Sequence, residues 1–313
     1  MDSSVLQFDY ASDFSEGLAA VKSDDTYTYI DPTGKPVITV DTGFDGVSAF
    51  SEGRAIVRVN DYYGYLDRTG KVVIDPQYPG ANRFSGGLAA VRTGTRYGYI
   101  DPAGGLVIEP QFILASDFSG GLAAVKIGEQ YGYINPSGRD VIAAQFADAW
   151  SFSESLAVVK SQGQWGYVAP NGQLKIPPQF DGAFDFSEGL ARVRKGSQWG
   201  YIRDTGEFAI PPQFDFAADF SEGLAVVLMG AQWGYADPQG QVVIAPQFSF
   251  ASDFSEGLAA VVINGQTGYI NPSGEQVIPP QFQRGGNFAE GWAWVQMGDR
   301  YQFINPQGQF LQR

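Results

Sequence analysis

Phe220-Ser221-Glu222-Gly223-Leu224-Ala225-Val226-Val227, then Trp233-Gly234-Tyr235-Ala236-Asp237, Gly240, Val243-Ile244 and Pro246-Gln247-Phe248 form one unit that the chain repeats nine times. The opening phenylalanine recurs at Phe14, Phe50, Phe84, Phe118, Phe152, Phe186, Phe220, Phe254 and Phe288. The steps are one of 36 residues (50 − 14) and then seven of 34. A period in this range marks a repeat architecture, in which each unit buries its apolar face against its neighbours.

Within a unit the pattern is that of short strands. In one copy, Gly121-Leu122-Ala123-Ala124-Val125-Lys126 reads as a first strand and Gln130-Tyr131-Gly132-Tyr133-Ile134 as a second. Asn135-Pro136-Ser137-Gly138 has turn chemistry, since proline presets φ and glycine ends the turn. Asp140-Val141-Ile142 starts a third strand, and Gln145-Phe146-Ala147-Asp148-Ala149 reads as a fourth extended piece. No segment keeps a helical period over ten or more residues, so the pattern predicts an all-β meander.

Comparing the copies separates two faces of the first strand. One position is alanine in every copy, from Ala19 to Ala293, and two residues later every copy has valine, from Val21 to Val295. A spacing of two places both columns on one face, which is predicted to be buried in a close approach to a neighbouring sheet. The opposite face varies: Leu88, Ala90 and Arg92 in one copy are Leu190, Arg192 and Arg194 in another and Trp292, Trp294 and Gln296 in the last. Its third position is basic in six copies, at Lys22, Arg58, Arg92, Lys126, Lys160 and Arg194, so this face is expected to be partly wet. The second strand carries paired aromatics around a glycine, which admits another backbone or ring.

These residues resemble the WG (KWG) repeat family. The unit at 220–248 carries its pattern closely, and the likeness covers nearly the whole chain. Only Trp165, Trp199 and Trp233 hold the motif tryptophan; tyrosine is usual elsewhere. The resemblance implies bacterial tandem-repeat proteins of mostly unassigned function, and it carries no catalytic residue across.

The frame of the repeat bears on topology. The chain begins partway through a unit at Gln7-Phe8 and stops at Gly308-Gln309-Phe310-Leu311-Gln312, just before the next such element would come. One terminus thus supplies what the other lacks. The expectation is one domain over 1–313, a nine-bladed propeller-like ring closed by strands from both termini, with an open β-solenoid or superhelix as the alternative. A unit of 34 residues is short for a propeller blade.

Composition narrows the chemistry. With no cysteine and no histidine, disulfides, thiolate and imidazole catalysis and most zinc or iron sites are excluded, and no cofactor or metal is expected. The serine of the Phe-Ser-Glu-Gly motif has no histidine to activate it, and no carboxylate pair stands out from the repeated background, so no catalytic residue is assigned. A net charge of −14 opposes nucleic acid and anionic membranes and suits a basic partner. No apolar stretch reaches membrane-spanning length, and no basic-then-apolar leader is visible, which points to the cytoplasm.

The expected function is a non-catalytic scaffold for a protein or peptide, with a lectin-like carbohydrate-binding module as the alternative. Candidate ligand-binding residues are those that break the repeat: Trp292 and Trp294 on the variable face, Arg192 and Arg194 on the same face of another copy, and Trp150, which departs from its own column. The recurring glutamates of the Phe-Ser-Glu-Gly turn read first as acceptors of backbone N–H bonds and second as an acidic rim. The recurring glutamine before each Phe or Tyr of the fourth piece reads as a buried amide.

Overall fold

The computed structural model describes residues 5–40 and 43–312. The first four residues, where a leader would begin, lie outside them. Nine small antiparallel sheets follow one another around an axis as propeller blades, and no described residue is helical. Blades 1 to 9 begin near residues 10, 46, 80, 114, 148, 182, 216, 250 and 284.

Blade 6 shows the plan. Its four strands are Gly182–Ser187, Leu190–Lys195, Gln198–Ile202 and Phe208–Phe214, paired in chain order. The first is innermost: its counterparts in blades 5, 6 and 7 meet one another around the axis, whereas the fourth strands stay apart at the rim. The third strand and fourth extended piece read from sequence are one outer strand, Asp140–Phe146 in blade 4, broken in register by bulges. The residues after it open the next blade.

In six blades both faces of the second strand are dry, and in the other three Ile56, Arg192 and Trp294 are half-buried on the variable face. Ala191 and Val193 are fully buried, as are their counterparts around the ring. So are Ala20, Ala90, Ala124, Val158, Val226 and Ala260 on the opposite face. The core clusters explain this. Leu122, Ala124, Tyr133 and Ile142 of blade 4 pack against Phe152, Ala157, Val159 and Val168 of blade 5, and the same assembly recurs between later blades. The variable face is therefore not a solvent face; it is the other half of each interblade core, and only its third position reaches the edge. There the recurring cations lie over the aromatic of the adjacent strand, as Lys22 over Tyr27 and Lys126 over Tyr131 at 5.2 and 5.5 Å.

Polar bonds cross each core in fixed positions. A buried tyrosine hydroxyl donates to a carbonyl of the next blade, as Tyr133 to Trp150 (2.8 Å) and Tyr201 to Ala218 (2.6 Å). Burial pushes the pKa of these hydroxyls well above the ordinary phenol range, so they stay protonated donors. The serine of each Phe-Ser-Glu-Gly turn donates to the next phenylalanine carbonyl, as Ser187 to Phe220 (2.7 Å). Its glutamate reaches the N–H groups of the following turn, as Glu188 to Glu222 (2.7 Å) and Gly223 (2.9 Å). The glutamates thus accept backbone N–H bonds, but those of the neighbouring blade. Each sits at positive φ near 50°, a conformation that Gly86 and Gly120 adopt without strain at the two interrupted positions. The recurrent glutamines, by contrast, are exposed at Gln111, Gln145 and Gln213, not buried.

The ring closes as its frame predicts. Phe8 and Tyr301 exchange backbone bonds of 2.9 and 2.8 Å, and Leu6 donates to Leu311 at 3.2 Å. The N-terminal segment therefore completes the outer strand of blade 9. Phe8, Phe14, Ala19 and Val21 share one core with Phe303 and Leu311, and Glu290 accepts from Gly17 at 2.8 Å. This arrangement excludes the open solenoid.

Two substitutions test these joints. Tyr201→Phe removes a donor from a part-buried carbonyl and is expected to cost about 1–2 kcal/mol, read as a lower urea midpoint at unchanged m value. Gly200→Ala places a methyl 2.5 Å from the Ile210 carbonyl oxygen of the outer strand and is expected to cost about 1–3 kcal/mol or more by the same measurement.

Candidate functional site

Away from the closing seam, the ninefold pattern breaks in blades 5 to 8. All three motif tryptophans, Trp165, Trp199 and Trp233, occupy consecutive blades there. The innermost strands of blades 5 and 6 bulge between positions that pair regularly, at Ala149/Phe152 and Ala183/Phe186. In most blades this bulge carries a small polar or small residue, such as Ser48, Asn82, Ser116 or Ala218. Blades 5 and 6 instead place Trp150 and Phe184 there, both half-buried.

These rings form a continuous run. Trp165 meets Trp150 at 6.0 Å between centroids, Trp150 meets Phe184 at 5.1 Å and Phe184 meets Trp199 at 5.6 Å. The run continues through Phe216 at 5.7 Å to Trp233 at 5.6 Å and ends at Phe250, 6.5 Å further on and exposed. Tilted and edge-on contacts of this kind exceed the value of area burial alone. A cavity of about 400 Å³ opens into the run, lined by Trp150, Trp165, Gly182, Phe184, Arg194 and Trp199 among others. It lies at the end of the blades where the second and third strands are joined, on the face away from the Phe-Ser-Glu-Gly turns.

Arg194 lines the cavity, and Arg192 stacks on its lining residue Phe184. Arg194 lies over Trp199 at 5.9 Å and donates to the Asp181 carbonyl at 3.1 Å. Arg192 occupies the variable position that is alanine in several other blades. Its guanidinium stacks on Phe184 at 3.6 Å, donates to the Ala217 carbonyl at 2.8 Å and lies 2.8 Å from an Asp219 carboxylate oxygen. That last contact is an ion pair whose geometry falls outside that of a hydrogen bond.

Asp185 and Asp219 lie on the innermost strands of blades 6 and 7, and Asp253 holds the equivalent position in blade 8. Burial lifts the Asp185 carboxyl to about 6; neighbouring Asp219 adds to the rise and Arg192 opposes it. Burial also raises Asp219, with Arg192 opposing, and raises Asp253, with Asp219 adding. One Asp185 oxygen is buried without a hydrogen-bond partner.

The sequence candidates thus divide. Trp150, Arg192 and Arg194 come together in one sector. Trp292 and Trp294 do not join it: both are half-buried against the closing core of blades 9 and 1, and the Trp294 indole bonds to Asp13. Gly286 makes room for that indole, since a methyl there would sit 2.3 Å from its nitrogen. Both pack against the seam, and Trp292 also lines a separate cavity of about 770 Å³ with Gln302, Asn305 and Phe310. Phe184, Asp185 and Asp219 escaped sequence reasoning; aligning the bulge column across the nine units would have exposed Phe184 beside Trp150.

A family model described as WG containing repeat matches residues 6–27, 27–63, 63–94, 97–131, 131–165, 165–199, 199–231, 233–266 and 268–301. No curated protein is significantly similar to the chain. Among solved structures, a eukaryotic initiation factor is similar over 93% of this chain and 89% of its own, with a TM-score of 0.66 and 11% identity. An Hsv2p from Kluyveromyces lactis is similar over 75% of this chain and 95% of its own, with a TM-score of 0.45 and 9% identity. The first supports the fold alone.

The carboxylate cluster makes stability depend on pH. Unfolding returns Asp185 to its ordinary value of 3.8. Between that value and about 6 the folded chain holds a proton that the unfolded chain releases, so stability falls as pH rises through this window and stays at the lower level above it. Asp185→Asn is therefore expected to melt higher than the wild type at pH 7–8, with the difference vanishing toward pH 4. Melting curves across that range check it.

Proposed function

The chain belongs to the WG-containing repeat family, and we propose that it is a non-catalytic scaffold that binds a protein or peptide partner on the aromatic sector of blades 5 to 8. The supporting observation is the local break in symmetry. A ring built from near-identical blades needs no tryptophan or phenylalanine at the bulge, because Ser48, Asn82 and Ser116 serve there. Half-buried aromatics beside cationic side chains are instead what a recognition surface concentrates, with rigid rings supplying most of the contact energy.

The recurring groups leave little for chemistry. Serine hydroxyls are committed to neighbouring carbonyls and glutamates to neighbouring N–H groups. With no histidine in the chain, neither set has the usual activating base. One observation favours carbohydrate as a second reading: Trp150, Trp165 and Trp199 line the cavity together with the polar groups of Ser197 and Asp215.

A photo-crosslinking residue at position 197, beside the cavity, and another at 204, at the opposite end of the third strand, separate the faces. In lysate of the source cells, the first is expected to capture one defined protein and the second none. Capture only at 204, or equal capture at both, overturns the assignment.

A further inference from the structure

The aromatic run contains its own template for a ligand. Phe216 opens blade 7 and sits between Trp199 of blade 6 and Trp233 of its own blade, 5.7 and 5.6 Å away. Phe250 occupies the same place in blade 8. In blade 6 that place belongs to Gly182, which pairs with Arg194 as Phe216 pairs with Leu228. Trp150 and Phe184 bridge Trp165 and Trp199, but the place that Phe216 takes one blade on carries no side chain here, and the cavity of about 400 Å³ lies against it.

Arg194 and Trp199 border the gap. A methyl on Gly182 would meet the Arg194 Cβ and Nε and the Trp199 ring, each at 3.4 Å, which is ordinary contact. Gly182 is not in the left-handed region, so nothing in its backbone requires glycine. The glycine keeps a space open that the fold tolerates filled.

Charge at the rim supplies the second criterion. Lys160 lies over Trp165 at 5.2 Å and Arg194 over Trp199 at 5.9 Å, one cation on each wall. Among the described residues neither forms an ion pair, and Arg194 spends one of its N–H donors on the Asp181 carbonyl. The nearby carboxylates are engaged with backbone: Asp148 with Ala149 N (2.9 Å), Asp181 with Gly196 N (2.7 Å) and Asp215 with Gly230 N (2.7 Å).

We propose that the gap over Gly182 receives an aromatic side chain of a partner polypeptide, next to an acidic residue that Lys160 and Arg194 engage. The inference rests on the scaffold reading and narrows it from a face to one pocket and one ligand chemistry. The net charge of −14 belongs to the whole chain; the acidic residue is read by these two cations, while Asp148, Asp181 and Asp215 nearby are held by backbone N–H groups.

Tryptophan fluorescence titration with acetylated Gly-Tyr-Glu-Glu-Gly amide tests the pocket. Binding is expected to weaken at least tenfold when the peptide tyrosine becomes alanine and when its glutamates become lysine. Gly182→Phe, which copies blade 7, is expected to abolish binding while melting like the wild type. Arg194→Leu, which copies Leu228, is expected to keep the tyrosine dependence and lose the preference for glutamate. Equal binding of the alanine peptide overturns the proposal, as does undiminished binding by folded Gly182→Phe, or a response to cello-oligosaccharides with none to the peptide. Should Gly182→Phe fail to fold, the wild-type peptide comparisons decide alone. If crosslinking at 197 persists in Gly182→Phe, the pocket assignment falls and the scaffold reading stands.

Discussion

Each blade is held by the two beside it. The alanine–valine face of one second strand meets the leucine, tyrosine and isoleucine of the preceding blade, and no blade has a core of its own. Uniform alanine follows from that approach: with Ala157 and Ala191 fully buried between sheets, a longer side chain would have to displace the neighbouring blade. The tyrosine, serine and glutamate bonds then fix the angle at which blades meet, because each joins one blade to a set carbonyl or N–H of the next. Dry contact supplies adhesion and these polar bonds supply geometry.

Such economy restricts where a binding function can arise. Any residue within the seams serves the ring, so recognition falls to edge positions, where substitution leaves the interblade core intact. Blades 5 to 8 use that freedom. Phe216, Phe250, Trp150 and Phe184 lie at the inner and lower margins of their sheets, while Tyr167, Tyr201 and Tyr235 remain in their usual seats. Arg192 is the exception, an ion placed within a seam, and its stacking on Phe184 joins the surface to the raised carboxylates.

The ring was legible in the sequence because Gln7-Phe8 repeats the end of a unit whose beginning lies some 300 residues away, near Trp292. The face assignment was not. A period of two shows that a strand has two sides, but Ala90 or Ala124 reads equally well as exposed or as tightly packed. Arg192 could be singled out as an exception to its column, whereas Asp219 as its partner could not. The two belong to different blades, and only the ring sets them 2.8 Å apart. Trp292 and Trp294 stand out for a related reason: the last unit departs from the pattern where it meets the chain's other end, and such a departure looks in sequence like functional divergence.

That last joint differs from the rest in substance. Where other blades offer tyrosine and serine hydroxyls, blade 9 has Phe303 and Ala289. Apolar contact, the Glu290 clasp and the paired termini hold it in their place. The hydroxyl tethers of the other seams give way there to main-chain pairs and one carboxylate, so the polypeptide's own two ends fasten the circle, as a clasp fastens a bracelet.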